Sequence, residues 1–287
     1  MMVMDNGRIR LSSAPGRWVL LTTVLGSGMA MLDGTVVNVA LPALGADLKA
    51  DMAGLQWTVN AYTLTLAGLI LLGGSLGDRY GRRKVFLIGV VWFAVASALC
   101  GLAPTIETLI AARALQGVGG ALLTPGSLAI IQASFAREDR PRAIGAWSGL
   151  GGVAAAIGPL LGGWLVQTAG WRWVFLINLP LAVLVVAVAA RHVPESRDVQ
   201  AGGRFDVLGA ALAALALTGI TYGLIGLETI PLVAGLLLGT AFVWLEIRRS
   251  PGALVPVGVF TSKVFTAVNV VTFVMYAAMG VVFFLLV

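Results

Sequence analysis

Long apolar stretches, separated by short polar segments, alternate along the whole chain. A helix that crosses a bilayer needs about 20 mainly apolar residues, and nine stretches reach that length. We predict spans at residues 18–41, 54–76, 85–103, 106–135, 142–166, 172–190, 207–227, 230–247 and 264–287. This pattern predicts an all-α membrane protein, in which most of the chain faces lipid or other helices.

The composition supports the same fold class. Hydrophobic residues make up 59% of the 287 residues and charged residues only 11%, with a mean hydropathy of +0.95. These values exclude a soluble globular domain. A net charge of +6 would favour nucleic-acid binding in a soluble protein, but here the positive charges lie in short loops, so we expect no nucleic-acid partner. The single cysteine, Cys100, lies within a span, and we interpret it as a packing residue.

Basic residues are distributed unevenly between the two sides of the predicted spans. Of the 19 Lys and Arg residues, 16 fall on the side of the N-terminus, whereas Lys49 and Arg172 fall on the other side. Because cytoplasmic loops carry the excess of Lys and Arg, we predict a multi-pass protein with a cytoplasmic N-terminus. Arginine outnumbers lysine 16 to 3, which is typical of a GC-rich bacterial genome. We therefore expect the bacterial inner membrane, that is, the plasma membrane.

The turn between the second and third spans, Gly74 to Lys84, reads GSLGDRYGRRK. Its pattern G-x-x-x-D-[RK]-x-G-[RK]-[RK] resembles the signature loop of the major facilitator superfamily of secondary transporters. The resemblance implies a cytoplasmic gating loop whose main residues are Gly74, Asp78, Arg79, Gly81, Arg82 and Arg83. We expect Gly81 to permit the tight turn or a positive φ.

Two ionisable residues, Asp33 and Arg113, lie inside predicted spans. An acid at the centre of a spanning helix costs about 3 kcal/mol on insertion-based scales, so such residues usually face a cavity and have a partner. Asp33 precedes Pro42 and Arg113 follows Thr105, and both of these mark the outer ends of their helices. At about 1.5 Å per residue, both ionisable residues lie about 12 to 14 Å deep. We predict that they can meet; a purely structural ion pair is the alternative to a functional one.

The segments around both residues extend the resemblance. LDGTVVNVALP in the first span is similar to the fourteen-span drug:proton antiporters of the EmrB/QacA type, and RALQGVGGA is similar to the superfamily's fourth-helix motif. The resemblance implies that Arg113 takes part in proton coupling and Asp33 in protonation or substrate recognition. Candidate residues of the substrate cavity are Asn38, Asn60, Thr63 and Gln116. For Asn60 and Thr63, ordinary interhelical hydrogen bonding is the alternative.

The fifth span carries small residues at spacings of three and four, which places them on one helix face. They are Gly145, Gly149, Gly152, Ala156, Pro159 and Gly163. Such a stripe permits another helix to approach closely, and generic packing is the alternative to a functional role. GPLLGG within this span resembles the fifth-helix motif of export-type antiporters, and the resemblance implies export. The residues assigned to this motif are Gly149, Gly152, Gly158, Pro159, Gly162 and Gly163.

The sixth span begins with WRWVFLINLP, which also resembles the fourteen-span family. We interpret Asn178 and Pro180 as residues that shape the helix, because Pro interrupts the backbone hydrogen-bond ladder.

The order of spans suggests an organisation like that of the superfamily. We assign 1–190 to an N-terminal six-helix transporter bundle and 191–206, which holds the only histidine, His192, to a cytoplasmic linker. Spans seven and eight, 207–247, are an inserted pair of helices, and 264–287 is the first helix of a C-terminal bundle. Because the chain stops inside an apolar run, we expect the second half of the major facilitator fold to be missing.

The sequence contains no metal-ligand cluster, no Walker-type phosphate loop and no histidine suited to acid–base catalysis. We therefore expect no enzyme activity, metal or cofactor, and a proton gradient as the energy source. The predicted function is a multidrug efflux antiporter that exports small amphipathic molecules, surrounded by membrane lipid and working as a monomer when full length. Alternatives are an exporter of one metabolite or self-made antibiotic, and a channel.

Overall fold

The computed structural model describes residues 4–5, 8–198, 206–249, 258 and 261–285. Two short strands, β1 (Met4–Asp5) and β2 (Arg8–Ile9), pair antiparallel at the start of the chain. The helices are α1 (Ala14–Leu48), α2 (Met52–Tyr80), α3 (Arg82–Gly101), α4 (Ile106–Ser134), α5 (Arg140–Thr168), α6 (Trp173–Leu176), α7 (Asn178–His192), α8 (Val207–Gly226), α9 (Thr229–Arg249) and α10 (Lys263–Leu285). Residues 199–205 of the predicted linker and 286–287 of the ninth span lie outside the described residues.

The helices confirm the all-α membrane fold. In the described part of the chain, eight stretches are long and apolar enough to cross a membrane, with Trp173–His192 counted as one. α10 coincides with the ninth predicted span. Some helices are longer than the predicted spans. α1 has 35 residues and is about 50 Å long, whereas the hydrocarbon core of a bilayer is about 30 Å thick. Its start is defined by Ser13, whose side chain accepts a hydrogen bond from the backbone N–H of Gly16.

The chain forms two compact units, Met1–Gly202 and Gly203–Val287. In the second unit, α8 and α9 pack closely through glycines, and a Cβ on Gly235 would lie 2.5 Å from the backbone nitrogen of Ile220. Asp206 caps α8 by accepting from Gly209 N at 2.7 Å. The finer domain boundaries given above stay predictions.

In the first unit, α4 lies between α2 and α3, α1 packs against α5, and α7 contacts α1 and α3. Glycines on α4 permit these short separations. A Cβ on Gly117 would lie 2.6 Å from the carbonyl oxygen of Tyr62, and one on Gly119 would lie 2.6 Å from the backbone nitrogen of Phe93. The backbone of α4 therefore packs directly against the backbones of α2 and α3. This close packing brings the polar side chains of α4 within reach of both neighbouring helices.

Two apolar clusters fill the first unit. One contains Ala30 and Phe93, and the other contains Val36 and Cys100. On α1, Asp33 lies between Ala30 and Val36, so the buried charges occur where the two apolar clusters meet. The polar site is thus enclosed by apolar packing along the helix axes.

The basic loops of the first unit gather at one end. Ile9 bridges to Phe135 at the end of α4, Leu11 N donates to Asp139 Oδ2 at 2.8 Å, and Arg83 contacts Val193 after α7. At the opposite end, Arg172 and Trp171 both bind the Asp47 carboxylate. The basic loops that the sequence assigns to one side of the spans therefore lie at one end of this unit.

Small residues on α5 face two directions, and one direction carries the contact with α1. A Cβ on Gly151 would lie 2.8 Å from Met31 Sδ, and one on Gly158 would overlap Thr35 Oγ1. A Cβ would meet nothing within 4 Å, among the described residues, at Gly145, Gly149 and Gly152.

The predicted stripe is therefore not the face that packs against α1, and its role in helix approach stays a prediction. At 100° per residue, the face that meets α1 lies about 120° around the helix from the stripe. Gly162 shares the α1 face, with a Cβ position 3.1 Å from Val36 O, whereas Gly163 is at the margin, 4.0 Å from Val39. Of the predicted motif, Gly158 and Gly162 pack against α1, and Pro159 is half-buried.

This difference gives a matched pair of substitutions on one helix. We expect Gly158→Leu to lower stability by about 2 kcal/mol, because the added side chain overpacks the α1–α5 contact. Gly152→Leu adds the same side chain on the open face and should leave stability unchanged. Thermal unfolding of both variants in detergent compares them; equal losses would contradict the assignment of faces.

Candidate functional site

A fully buried carboxylate lies at the centre of the first unit. Asp33, on α1, is 0% exposed. Its Oδ2 accepts from Arg113 Nη1 at 2.5 Å, and its Oδ1 accepts from Gln116 Nε2 at 2.8 Å and from Asn178 Nδ2 at 3.0 Å. The donors come from α4 and α7, so one carboxylate joins three helices, and all of its observed partners are nitrogen donors.

Arg113 extends the site to a fourth helix. Its Nε donates to the carbonyl oxygen of Thr58 on α2 at 3.1 Å, and its Nη1 also donates to Gln116 Oε1 at 2.8 Å. The guanidinium carbon lies 4.3 Å from the centroid of the Tyr62 ring, an attractive cation–π distance. A planar group with several donors suits this combination of carboxylate, carbonyl and aromatic partners.

Ser97, on α3, links the two amide side chains. Its Oγ accepts from Gln116 Nε2 at 3.3 Å and from Asn178 Nδ2 at 3.0 Å, and donates to the carbonyl oxygen of Phe175 at 2.8 Å. We call Asp33, Ser97, Arg113, Gln116 and Asn178 the Asp33 network. Within this network, Asn178 Oδ1 is the one buried side-chain oxygen or nitrogen without a hydrogen-bond partner.

The structure brings Asp33 and Arg113 together, as predicted. Pro42 is wrong as the end of the first helix, because α1 continues through it to Leu48. The structure does not place Gln116 on an open cavity: Gln116 is 0% exposed, because it lies three residues from Arg113 and shares its inward face. Asn38 and Asn60 are half-buried, and Thr63 is exposed. Thr63 bonds to its own helix, at Val59 O. The roles of these three stay predictions.

Sequence reasoning missed Asn178 and Ser97 as members of the site. The helix is interrupted at Ile177, between α6 and α7, which agrees with the interpretation that this segment shapes the helix. Asn178 nevertheless binds Asp33 across 145 positions of sequence. The sequence feature that could have identified Asn178 is its neutral amide within an otherwise apolar span. Cys100, interpreted as a packing residue, is buried and also contacts Gln116 Oε1 at 3.5 Å.

The signature loop forms a compact turn between α2 and α3. Arg82 binds Asp78 Oδ1 through Nη2 at 2.7 Å and through Nε at 2.9 Å. Gly81 has φ +113°, so the predicted positive φ is confirmed. Arg79 lies with its guanidinium 5.7 Å from the Tyr80 ring centroid. A Cβ at Gly74 would lie 3.6 Å from Pro125 Cβ on α4.

Residues 193–198, predicted as part of a linker, run along this loop. Glu195 accepts hydrogen bonds from the backbone nitrogens of Arg83 and Lys84, both at 3.1 Å. It therefore caps α3, whose own N-cap residue, Gly81, has no side chain to do so. Arg82 N also donates to Ser196 O at 2.8 Å. The chain after α7 thus holds the signature loop in place.

A sequence profile of the Major Facilitator Superfamily matches residues 23–287. The chain belongs to the major facilitator superfamily. It is 36% identical to the tetracenomycin C resistance and export protein of Streptomyces glaucescens, with 92% of this chain and 51% of that protein covered. It is 38% identical to the multidrug resistance protein Stp of Mycobacterium tuberculosis, with 91% and 50% covered. The chain spans about half the length of these curated relatives.

Solved structures agree on the superfamily fold. A crystal structure of the peptide transporter POT superposes with a TM-score of 0.61 at 15% identity, covering 81% of this chain and 52% of that one. The human organic anion transporter MFSD10 gives a TM-score of 0.54 at 17% identity, covering 72% and 55%. At these identities the likeness concerns the fold alone, and it confirms the predicted major facilitator architecture.

The cap on α3 can be tested by removing it. We expect Glu195→Ala to cost about 1 kcal/mol, the usual value of an N-cap, and to speed hydrogen exchange at the Arg83 and Lys84 amides. Glu138→Ala is the control, because Glu138 is exposed in the α4–α5 turn at the same end. Unchanged exchange at both amides in Glu195→Ala would contradict the cap.

The buried ion pair of Asp33 and Arg113 can be tested by removing its cation. Arg113→Gln leaves the Asp33 carboxylate buried without its cation, which should cost about 3 to 5 kcal/mol. The double change with Asp33→Asn removes both charges and should recover part of that loss. Thermal unfolding and the yield of monodisperse protein measure both effects. A double variant as unstable as Arg113→Gln would show that charge pairing does not hold this site together.

Proposed function

We propose that this protein is a proton-coupled exporter of small amphipathic molecules, a multidrug efflux antiporter. The observation that carries the proposal is the ion pair of Asp33 and Arg113, enclosed in the middle of a helix bundle. Ionisable groups inside membrane segments mark ion and substrate pathways by default. The relatives named for drug resistance and export supply the transport direction and the substrate class.

A buried carboxylate beside a guanidinium suits proton coupling for a physical reason. Burial disfavours the charged form of a carboxylic acid, whereas a nearby cation favours it. The balance therefore depends on the separation of Asp33 and Arg113. A transport motion that parts α1 from α4 would change the affinity for a proton, and binding of a proton would in turn favour that motion.

The basic end of the first unit is our candidate for the cytoplasmic side. The signature loop, the α4–α5 turn and the chain after α7 all meet there, and Lys and Arg collect in cytoplasmic loops. The proposal includes a bacterial plasma membrane, a cytoplasmic N-terminus and a monomeric transporter in contact with lipid. It requires no cofactor, metal or enzymatic step, because the proton gradient supplies the energy.

A dedicated exporter of one antibiotic is the second candidate. It is favoured by relatives named after single compounds, such as the tetracenomycin C resistance and export protein and, at 39% identity, the puromycin resistance protein of Streptomyces alboniger. The two candidates share the Asp33 network and differ in the breadth of substrates, which a panel of compounds separates.

Everted membrane vesicles from bacteria that express the intact protein test the proposal. We expect uptake of at least one compound of a panel that includes tetracenomycin C, puromycin and a cationic dye, and its loss when a protonophore collapses the gradient. Asp33→Asn keeps the shape but removes the titratable group, so gradient-driven uptake should fall to the level of vesicles without the protein.

Asp47→Asn is the matched control for that substitution. Asp47 lies on the same helix, and its side chain is 49% exposed in an ion pair with Arg172, a class of pair worth about 0 to 1 kcal/mol. This variant should retain uptake. If Asp33→Asn shows normal uptake driven by the proton gradient, the proton site lies elsewhere and the proposal is wrong.

A further inference from the structure

The Asp33 network is arranged for an ionised carboxylate. Both oxygens of Asp33 receive hydrogen bonds from Arg113, Gln116 and Asn178, and in each case the partner atom is a nitrogen donor. A protonated carboxyl group carries one O–H donor of its own. In the observed arrangement that hydrogen would point at other donors, so a protonated Asp33 requires an acceptor.

The other acceptors of the network are already engaged. Gln116 Oε1 accepts from Arg113 Nη1 and contacts the Cys100 thiol. Ser97 Oγ receives two amide donors. Asn178 Oδ1 differs from these, because it belongs to a side chain that is 0% exposed and has no partner in the described part of the chain. Leaving a buried acceptor without a partner costs free energy, because the atom has lost its hydrogen bonds to water.

We propose that Asn178 is an amide switch that reads the protonation of Asp33. When a proton binds at Asp33 Oδ1, the Asn178 amide turns by about 180° about its terminal torsion, which exchanges Nδ2 and Oδ1. Oδ1 then accepts the hydrogen bond from the new O–H group, and Nδ2 gives up its hydrogen bonds to Asp33 Oδ1 and Ser97 Oγ and moves to the place that Oδ1 held. No covalent bond changes other than the O–H bond to the incoming proton. This inference rests on the proposed function, in which Asp33 is the proton site.

Gln116 cannot make the same turn. Its Oε1 faces Arg113, and rotation of the amide would bring Nε2 against the guanidinium donors. The other ionisable groups around the carboxylate are Tyr62 on α2 and Cys100 on α3, and their hydrogen bonds in the described structure go to Ala30 O and Gln116 Oε1. Of the two amides at Asp33 Oδ1, only Asn178 is thus free to exchange a donor for an acceptor.

The switch reaches the backbone through Ser97. After the turn, Asn178 Oδ1 faces the Ser97 hydroxyl, which at present donates to the carbonyl oxygen of Phe175. The hydroxyl can then donate to Asn178 and release that carbonyl, next to the interruption at Ile177 between α6 and α7. Protonation of Asp33 on α1 would in this way loosen the junction of α6 and α7.

Infrared difference spectroscopy of the full chain in lipid nanodiscs, across a pH series, tests the switch without any transport assay. Asparagine carries a 13C label at its side-chain carbonyl. We expect a carboxylic-acid band on acidification that is missing from Asp33→Asn. We also expect a shift of the labelled carbonyl band with the same midpoint, because Oδ1 gains a hydrogen bond. Asn178→Leu should lose this shift.

Gln116→Met is the matched control, since it removes the other amide donor to Asp33 Oδ1 and should keep the labelled shift. If the acid band of Asp33 appears while the labelled carbonyl stays fixed, the switch is overturned and the proton site stands. If acidification of the folded protein produces no acid band that Asp33→Asn removes, the proton site itself fails, and the switch fails with it.

Discussion

The fold of the first unit depends on the neutralisation of one negative charge far from water. A lone carboxylate in a membrane interior is expensive, and a lone guanidinium is equally so. Asp33 and Arg113 remove that penalty jointly only if α1 and α4 meet in one register. The additional donors from Gln116 and Asn178 make the register stricter, because each reaches the carboxylate from its own position in the sequence.

Close packing and polar chemistry support each other in this arrangement. Glycines on α4 bring α2 and α3 to backbone distance, and that proximity lets Arg113 reach the carbonyl of Thr58. The two apolar clusters meet around the Asp33 network and exclude competing hydrogen-bond partners. In such surroundings each hydrogen bond is electrostatically stronger than in water, and each missing one is more costly.

Much of this could be predicted from the sequence, for identifiable reasons. Span positions follow from apolar length, and the pairing of Asp33 with Arg113 follows because an ionisable residue inside a span usually needs a partner of opposite charge. Asn178 was not predicted as a site residue, because a neutral amide in a span does not demand a partner as a charge does. Its partner also depends on how α7 packs against α1 and α3. The face of α5 that packs against α1 could not be predicted, because small residues occur on two faces of this helix and the position of α1 is set by the packing of the whole unit.

The cap on α3 has a consequence for biosynthesis. Glu195 follows the amides that it caps by 112 and 111 positions, so the ribosome completes α3 long before its cap exists. Until α7 has been inserted, the first turn of α3 must rely on water or lipid headgroups for its open N–H groups. The Glu195 cap can therefore form only after α7 has been synthesised, so the contact between the signature loop and the chain after α7 is completed late in assembly.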